Sequence, residues 1–415
     1  MAEKNPADIQ TQVVHAGERK TLPAGEPTSI PIYASTTYTY ESMAEMDRVF
    51  AGESPGYVYT RHGNPTTDAL VDALRTIEDG AAACAYASGM AALHAALLCC
   101  DLQSGSTVLA SQDLYGATTS LLQTILKSFS VNTVTVDFNN LEKVRDAAHE
   151  TQPRVILAET ISNPLLKVCD IDAGAAIARE VGARLIIDNT FASPVLCQPL
   201  KHGADIVVHS ATKFLGGHAD SLGGVVISRH QSDAASLVRT MKLVGGVLSP
   251  FEAHQILRGT KTLAVRMERH CENAAKLAAH LSGNRLIARV YYPELESAER
   301  KDIAKRILRG GYFGALVSIE LADNTRDAAF RFMDALKLSI RSTSLGDVFT
   351  SVLHPASASH RDLPIERRTE LGISEGLMRI SVGIENINDI IADIEQALNA
   401  VSTRQGTEPL AVAGG

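Results

Sequence analysis

Between residues 82 and 228 the chain alternates short apolar runs with amphipathic stretches, and few folds accept that rhythm. "ACAYAS" leads into "GMAALHAALLCC", "STVLAS" into "ATTSLLQTILKSF", and "VNTVTVDF" into "NLEKVRDAAHE". "RVILAET" leads into "DIDAGAAIAREVG", and the apolar runs "ARLIIDNT", "DIVVHSAT" and "GGVVIS" follow. Each run is too short and too rich in branched side chains for a helix, while the stretches between repeat at helical spacing. The pattern predicts an α/β fold: a mostly parallel central sheet with helices on both faces.

The flanks read differently. Residues 1–63, with "LPAGEPTSIPIYASTTYTYES", lack helical periodicity and read as an extended N-terminal arm packed against something else. Residues 64–262 form the predicted ligand-binding domain, opened by the helical "TTDALVDALRTIEDG" and closed within a long helical stretch from Pro250. Residues 263–402 alternate strands and helices on a smaller scale and read as an α+β domain; 403–415 read as a flexible tail. A chain of 415 residues exceeds one ordinary core, which supports this division.

Composition narrows the class. A formal charge of −8 argues against nucleic acid as a partner. No apolar run reaches the roughly 18 residues that span a bilayer. The start "MAEKNPADIQTQ" has no apolar signal region. Six scattered cysteines without a C-x-x-C pair fit reduced thiols in a cytoplasmic enzyme. His209 and His218 lack an accompanying Asp/His cluster, so no metal site is expected.

In an open α/β sheet, ligands bind beyond the carboxyl ends of the strands. Glu159 and Asn163 follow one predicted strand, Asp188 ends the next, and Ser210, Thr212 and Lys213 follow the third. Ser88, Gly89 and Met90 open a helix, where free N–H groups favour an anion. The hydroxyls of Ser210 and Thr212 and the guanidinium of Arg61 suit the same anion. Together these residues ask for a ligand with a phosphate, an amine-reactive group and a cationic ring nitrogen. Pyridoxal 5′-phosphate has all three: its aldehyde would bond to Lys213, its phosphate sit on the helix start, and its ring nitrogen face Asp188. Tyr115 would stack on the ring.

"VVHSATKFLGGHAD" resembles the lysine motif of the Cys/Met-metabolism pyridoxal-phosphate enzymes. That family includes cystathionine γ-synthase, cystathionine lyases, methionine γ-lyase and O-acylhomoserine sulfhydrylases. "YTRHGNPTTDALVDALRTIE", "ASGMAA", "DLYGAT", "AETISNPLLKVCDI", "IIDNTFASPVL", "LRGTKTL", "SLGD", "HPAS" and "RISVGIE" are similar to family segments in family order. The resemblance implies the type I aminotransferase fold in a homotetramer of tight dimers. It implies that Tyr59 and Arg61 bind phosphate from a neighbouring subunit, which would explain the arm. It also implies that Arg379 grips the substrate α-carboxylate, helped by Asn163 and Ser344.

The resemblance further implies γ-chemistry, with Lys213 as base and Tyr115 as a candidate acid. The favoured reading is γ-elimination from methionine, an O-substituted homoserine or canavanine. The alternative is γ-replacement, as in O-acylhomoserine sulfhydrylase or cystathionine γ-synthase; a non-catalytic binding protein of the same fold is the reading from another class. Thr343 stands where cystathionine-handling members tend to carry Glu. Ala117 stands where methionine γ-lyases carry Cys, and Leu243 departs from their Lys–Asp pair.

Overall fold

A computed structural model describes residues 8–16 and 27–402. The tail 403–415 and residues 1–7 and 17–26 of the arm lie outside the described residues.

Seven strands build the larger sheet: β1 (Ala82–Tyr86), β2 (Thr107–Ser111), β3 (Asn132–Val136), β4 (Val155–Glu159), β5 (Arg184–Asp188), β6 (Ile206–Ser210) and β7 (Gly224–Ser228). Their order is β1-β7-β6-β5-β4-β2-β3, with β7 alone antiparallel to its neighbours. The strands alternate their side chains between two cores. Ile156, Ala158, Leu185 and Ile187 pack on one face, while Val155, Leu157 and Ile186 pack on the other. Burial on both faces is why these strands read as continuous apolar runs rather than alternating ones. Each fully buried Leu or Ile contributes about 1.5–3 kcal/mol. The expected mostly parallel, two-sided sheet is present.

A second sheet, β10-β11-β12-β9-β8, uses β8 (Ile287–Tyr291), β9 (Leu316–Leu321), β10 (Ile340–Arg341), β11 (Ser351–Leu353) and β12 (Leu377–Ser381). Helices Leu263–Leu281, Arg326–Ala335 and Ile387–Ser402 cover it.

The arm departs from the extended reading. Its described residues include the α-helices Ile9–His15 and Met43–Phe50. Ile9 and Val13 are buried in this chain's own core, so the first helix packs at home rather than on a neighbour. The second starts where Ser42 Oγ accepts from the Glu45 N–H at 3.1 Å, a Ser followed three residues later by Glu. No residue of it is buried: its apolar stripe of Met43, Met46 and Phe50 is not covered by the rest of the described residues.

The long helical stretch from Pro250 is two helices, Pro250–Thr260 and Leu263–Leu281. The break follows a close backbone crossing: a Cβ on Gly259 would lie 2.0 Å from the Gly216 carbonyl oxygen. Helices Ala234–Val244 and Ala298–Ile307 escaped the sequence reading because each buries only two side chains.

Candidate active site

The carboxyl ends of β4, β5 and β6 open into a cavity of about 420 Å³. Glu159 and Asp188 are register partners at the ends of adjacent strands. Ser88, Gly89, Met90, Tyr115, Asn163, Asp188, Ser210, Thr212, Lys213 and Arg379 all line the cavity, as do Thr343, Glu159 and Phe191.

One wall is the start of helix Gly89–Cys99. Ser88 Oγ caps it, accepting from the Ala91 N–H at 3.2 Å. The backbone is packed too tightly here for side chains. A Cβ on Gly224 would sit 2.2 Å from the Ser88 carbonyl oxygen, and one on Gly89 would press on Ser210 at 2.8 Å. The bare backbone thus leaves the first amides of the helix beside the Ser210 hydroxyl, a cradle that suits a phosphate. The Thr212 hydroxyl is already engaged, donating to the Gly223 carbonyl at 3.2 Å and accepting from the Gly223 N–H at 3.1 Å.

The opposite wall carries charge. Asp188 is half-buried, and Oδ1 accepts from the N–H of Thr190 at 3.0 Å and from its hydroxyl at 2.5 Å. Burial raises its pKa, against those bonds and the nearby His209. Glu159 takes the Tyr115 N–H on Oε1 at 2.6 Å, fixing the residue whose ring borders the cavity. Burial, then the Asp188 charge, push Glu159 well above the usual carboxylate range. His209 gives its Nε2 to Glu78 at 2.5 Å, a buried pair.

Lys213 follows β6 in a turn closed by its own carbonyl, which accepts from the Gly217 N–H at 2.8 Å. Its Nζ donates to Ser344 Oγ at 3.1 Å. Burial and then Arg379 lower its pKa, while Asp347 raises it.

Arg379 comes from β12, buried beneath the cavity floor. Nη1 donates to Asn163 Oδ1 at 2.9 Å, Nη2 to the Ser344 carbonyl at 3.1 Å, and Nε has no partner. Its pKa falls to about 10 because of burial. A buried guanidinium held by neutral groups leaves a charge awaiting an anion.

Tyr59 and Arg61 do not line this chain's cavity. Arg61 Nη1 donates to the Lys242 carbonyl at 3.0 Å and stacks 5.5 Å from the Tyr59 ring. Ser344 borders Lys213 and Arg379 rather than the cavity itself. Sequence reasoning gave no role to Thr190 or Asp347; the "SLGD" segment was the one signal for the latter.

A family model described as Cys/Met metabolism PLP-dependent enzyme matches residues 10–399. The chain belongs to this family. It is 41% identical over 401 residues to L-methionine gamma-lyase of Fusobacterium nucleatum subsp. nucleatum, covering 96% of this chain and 100% of that protein. The crystal structure of cystathionine gamma synthase from Xanthomonas oryzae pv. oryzae, in complex with aminoacrylate and cysteine, superposes with a TM-score of 0.89 at 35% identity. It covers 96% of this chain and 99% of that one. A Campylobacter jejuni protein described as an O-acetylhomoserine (thiol)-lyase matches with a TM-score of 0.88 at 31% identity, covering 95% and 100%. That structure contains a pyridoxyl-lysine monophosphate.

This family member is a pyridoxal-phosphate enzyme with the type I fold. The residues present fit the cofactor: a glycine-lined cradle, and a Lys213 amine and an Asp188 carboxyl that line the same cavity.

Proposed function

We propose that this enzyme is a γ-lyase acting on L-amino acids with an uncharged γ-substituent, methionine or an O-substituted homoserine. The observation that carries it is the cavity itself, which places the Lys213 amine, the Asp188 carboxyl and the Arg379 guanidinium on one space. Bound to Lys213, pyridoxal phosphate supplies an electron sink that acidifies the α- and β-hydrogens of an attached amino acid.

The chain's residues then divide the work. Ser88, Gly89, Met90, Ser210 and Thr212 would hold the phosphate. Asp188 would pair with the protonated ring nitrogen, a positive charge that would offset the desolvation raising its pKa. Arg379 takes the α-carboxylate in a two-pronged contact, and Asn163 and Ser344 fix its plane. Lys213 Nζ would take the α-proton, hand it on to the cofactor, and with its lone pair restored remove a proton from the β-carbon. Tyr115 borders the ring face and gives a proton to the leaving group.

Thr343, Ala358 and Ser359 border the cavity and carry no charge, which favours a neutral leaving group over a second amino-acid end. γ-Replacement by sulfide or a thiol uses the same residues. Similarity to cystathionine gamma synthase and to the Campylobacter jejuni protein keeps it as the second reading.

Tyr59 and Arg61 do not border the Lys213 cavity of their own chain, and Phe50, which packs on His62, and Leu243 and Val244, which follow the Lys242 that Arg61 contacts, leave apolar side chains exposed. Both facts support a homotetramer built from dimers in which these two residues reach a neighbour's phosphate site. Six unpaired cysteines suit a reducing cytoplasm.

A substrate panel tests the reading. Methionine, homocysteine, cystathionine, canavanine and both O-acylhomoserines would be assayed for keto-acid release with and without sulfide. Keto acid from methionine or an O-acylhomoserine without sulfide supports elimination. Product formed only with sulfide moves the enzyme to the replacement class.

A further inference from the structure

Asp347 is buried, at 1% exposure, and neither carboxylate oxygen has a partner in full hydrogen-bond geometry. Such a group is costly unless a cation answers it. Its setting is rigid. Gly346 lies against the backbone of the lysine turn; a Cβ there would meet Phe214 N at 2.7 Å and the Lys213 carbonyl carbon at 3.1 Å. Gly346 has φ +80°, a conformation that glycine takes without strain. The Val348 N–H donates to the Gly217 carbonyl at 3.0 Å. Ser344, at the other end of the segment, accepts from Lys213 Nζ. Asp347 is therefore clamped onto the turn that carries Lys213.

The charged groups acting on Asp347 are Lys213, His218 and Arg266, with the Ala219 N–H and Ser344 hydroxyl also facing it. Those acting on Lys213 are Arg379 and Asp347. Burial and Arg379 favour the neutral amine; Asp347 alone favours the ammonium.

We propose that Asp347 is the counter-ion of the Lys213 amine, a positioning residue that holds the released ε-ammonium beside Ser344. This rests on the reading that Lys213 carries the cofactor and then acts as base. In the proton transfer the substrate Cα–H bond breaks, its electron pair stays on the carbon side, and an N–H bond forms at Nζ. The new positive charge on Nζ is balanced by the carboxylate of Asp347, which makes and breaks no covalent bond.

The test uses full-length protein stripped of cofactor with hydroxylamine. Acetylation of Lys213 by acetic anhydride is followed across pH by peptide mass spectrometry. Asp347→Asn removes the charge that holds the ammonium, so the amine should deprotonate about one pH unit lower. Below the midpoint, labelling should be about tenfold faster than in wild type. An unchanged midpoint in a folded variant would mean that Asp347 serves Arg266 alone and would overturn the proposal.

If Asp347→Asn does not fold, Lys213→Ala gives the reciprocal measurement. Loss of the neighbouring cation should make Asp347 take up its proton at higher pH, seen as a carboxylic-acid C=O band by isotope-edited infrared spectroscopy. A titration identical to that of wild type overturns the proposal equally. Borohydride reduction of the loaded enzyme keeps the two claims apart. An adduct away from Lys213 sinks the cofactor assignment, whereas an adduct on Lys213 with no labelling shift sinks only the role of Asp347.

Discussion

Lys213 and Arg379 meet on one residue: the amine donates to the Ser344 hydroxyl at 3.1 Å and the guanidinium to the Ser344 carbonyl at 3.1 Å. The two cations come from different sheets, one after β6 and one within β12. Their spacing thus depends on how the two sheets dock, and Ser344 is the gauge. In the proposed function, a substrate held by its carboxylate at Arg379 would be delivered to Lys213 at a fixed distance, which is what an oriented proton transfer needs.

Arg379→Ala should remove the carboxylate grip. Loss of a charge-assisted, two-pronged contact costs about 3 kcal/mol, so KM should rise on the order of 100-fold. Steady-state kinetics check this. Cofactor absorbance should stay as in wild type, because Arg379 does not hold the cofactor in this account.

Asn163→Asp should be more informative than Asn163→Ala. The new carboxylate would face Nη1 of Arg379, where the amide oxygen now lies at 2.9 Å. It would neutralise the guanidinium internally and compete with the substrate. KM should rise on the order of tenfold or more, with thermal stability equal to wild type or higher. A lowered kcat at unchanged KM would contradict the assignment of Arg379 to the carboxylate.

Acid stability should reflect two buried histidines. His270 gives Nδ1 to the Val382 carbonyl at 2.6 Å, while its Nε2 is unpartnered. His360 lies beside Arg379. Burial lowers each to about 4, against an ordinary value of 6.5. Between pH 6.5 and 4 the unfolded chain binds protons that the folded one refuses. Stability should therefore be full above pH 6.5 and fall on acidification, by up to about 1.4 kcal/mol per pH unit for each group. Urea unfolding at several pH values measures the slope, and His270→Gln should flatten it.

Much of the site was legible because β4, β5 and β6 are apolar on both faces and each ends on a polar residue. Glu159, Asp188 and Ser210 stand out against runs such as "RLIID" for that reason. Lys213 stood out because an amine flanked by hydroxyls and glycines has no use on a surface. Helix Met43–Phe50 was legible from Ser42, Glu45 and the spacing of Met43, Met46 and Phe50, but the Pro- and Thr-rich stretch before it masked two turns of periodicity. β11 has three residues, too few for any periodicity to register. For Asp347 the "SLGD" segment marked the place and not the role. Its significance comes from lying against the Lys213 turn and near Arg266, groups far away in the chain.

The covalent link at Lys213 is the central claim, and borohydride reduction tests it most directly. Wild-type enzyme loaded with pyridoxal phosphate is reduced, digested and analysed by mass spectrometry, with Lys213→Ala alongside. The account predicts a single pyridoxyl-phosphate adduct on Lys213, and in the variant no adduct, no near-visible absorbance from the link and no turnover. An adduct on another lysine, or turnover that survives in Lys213→Ala, would contradict it.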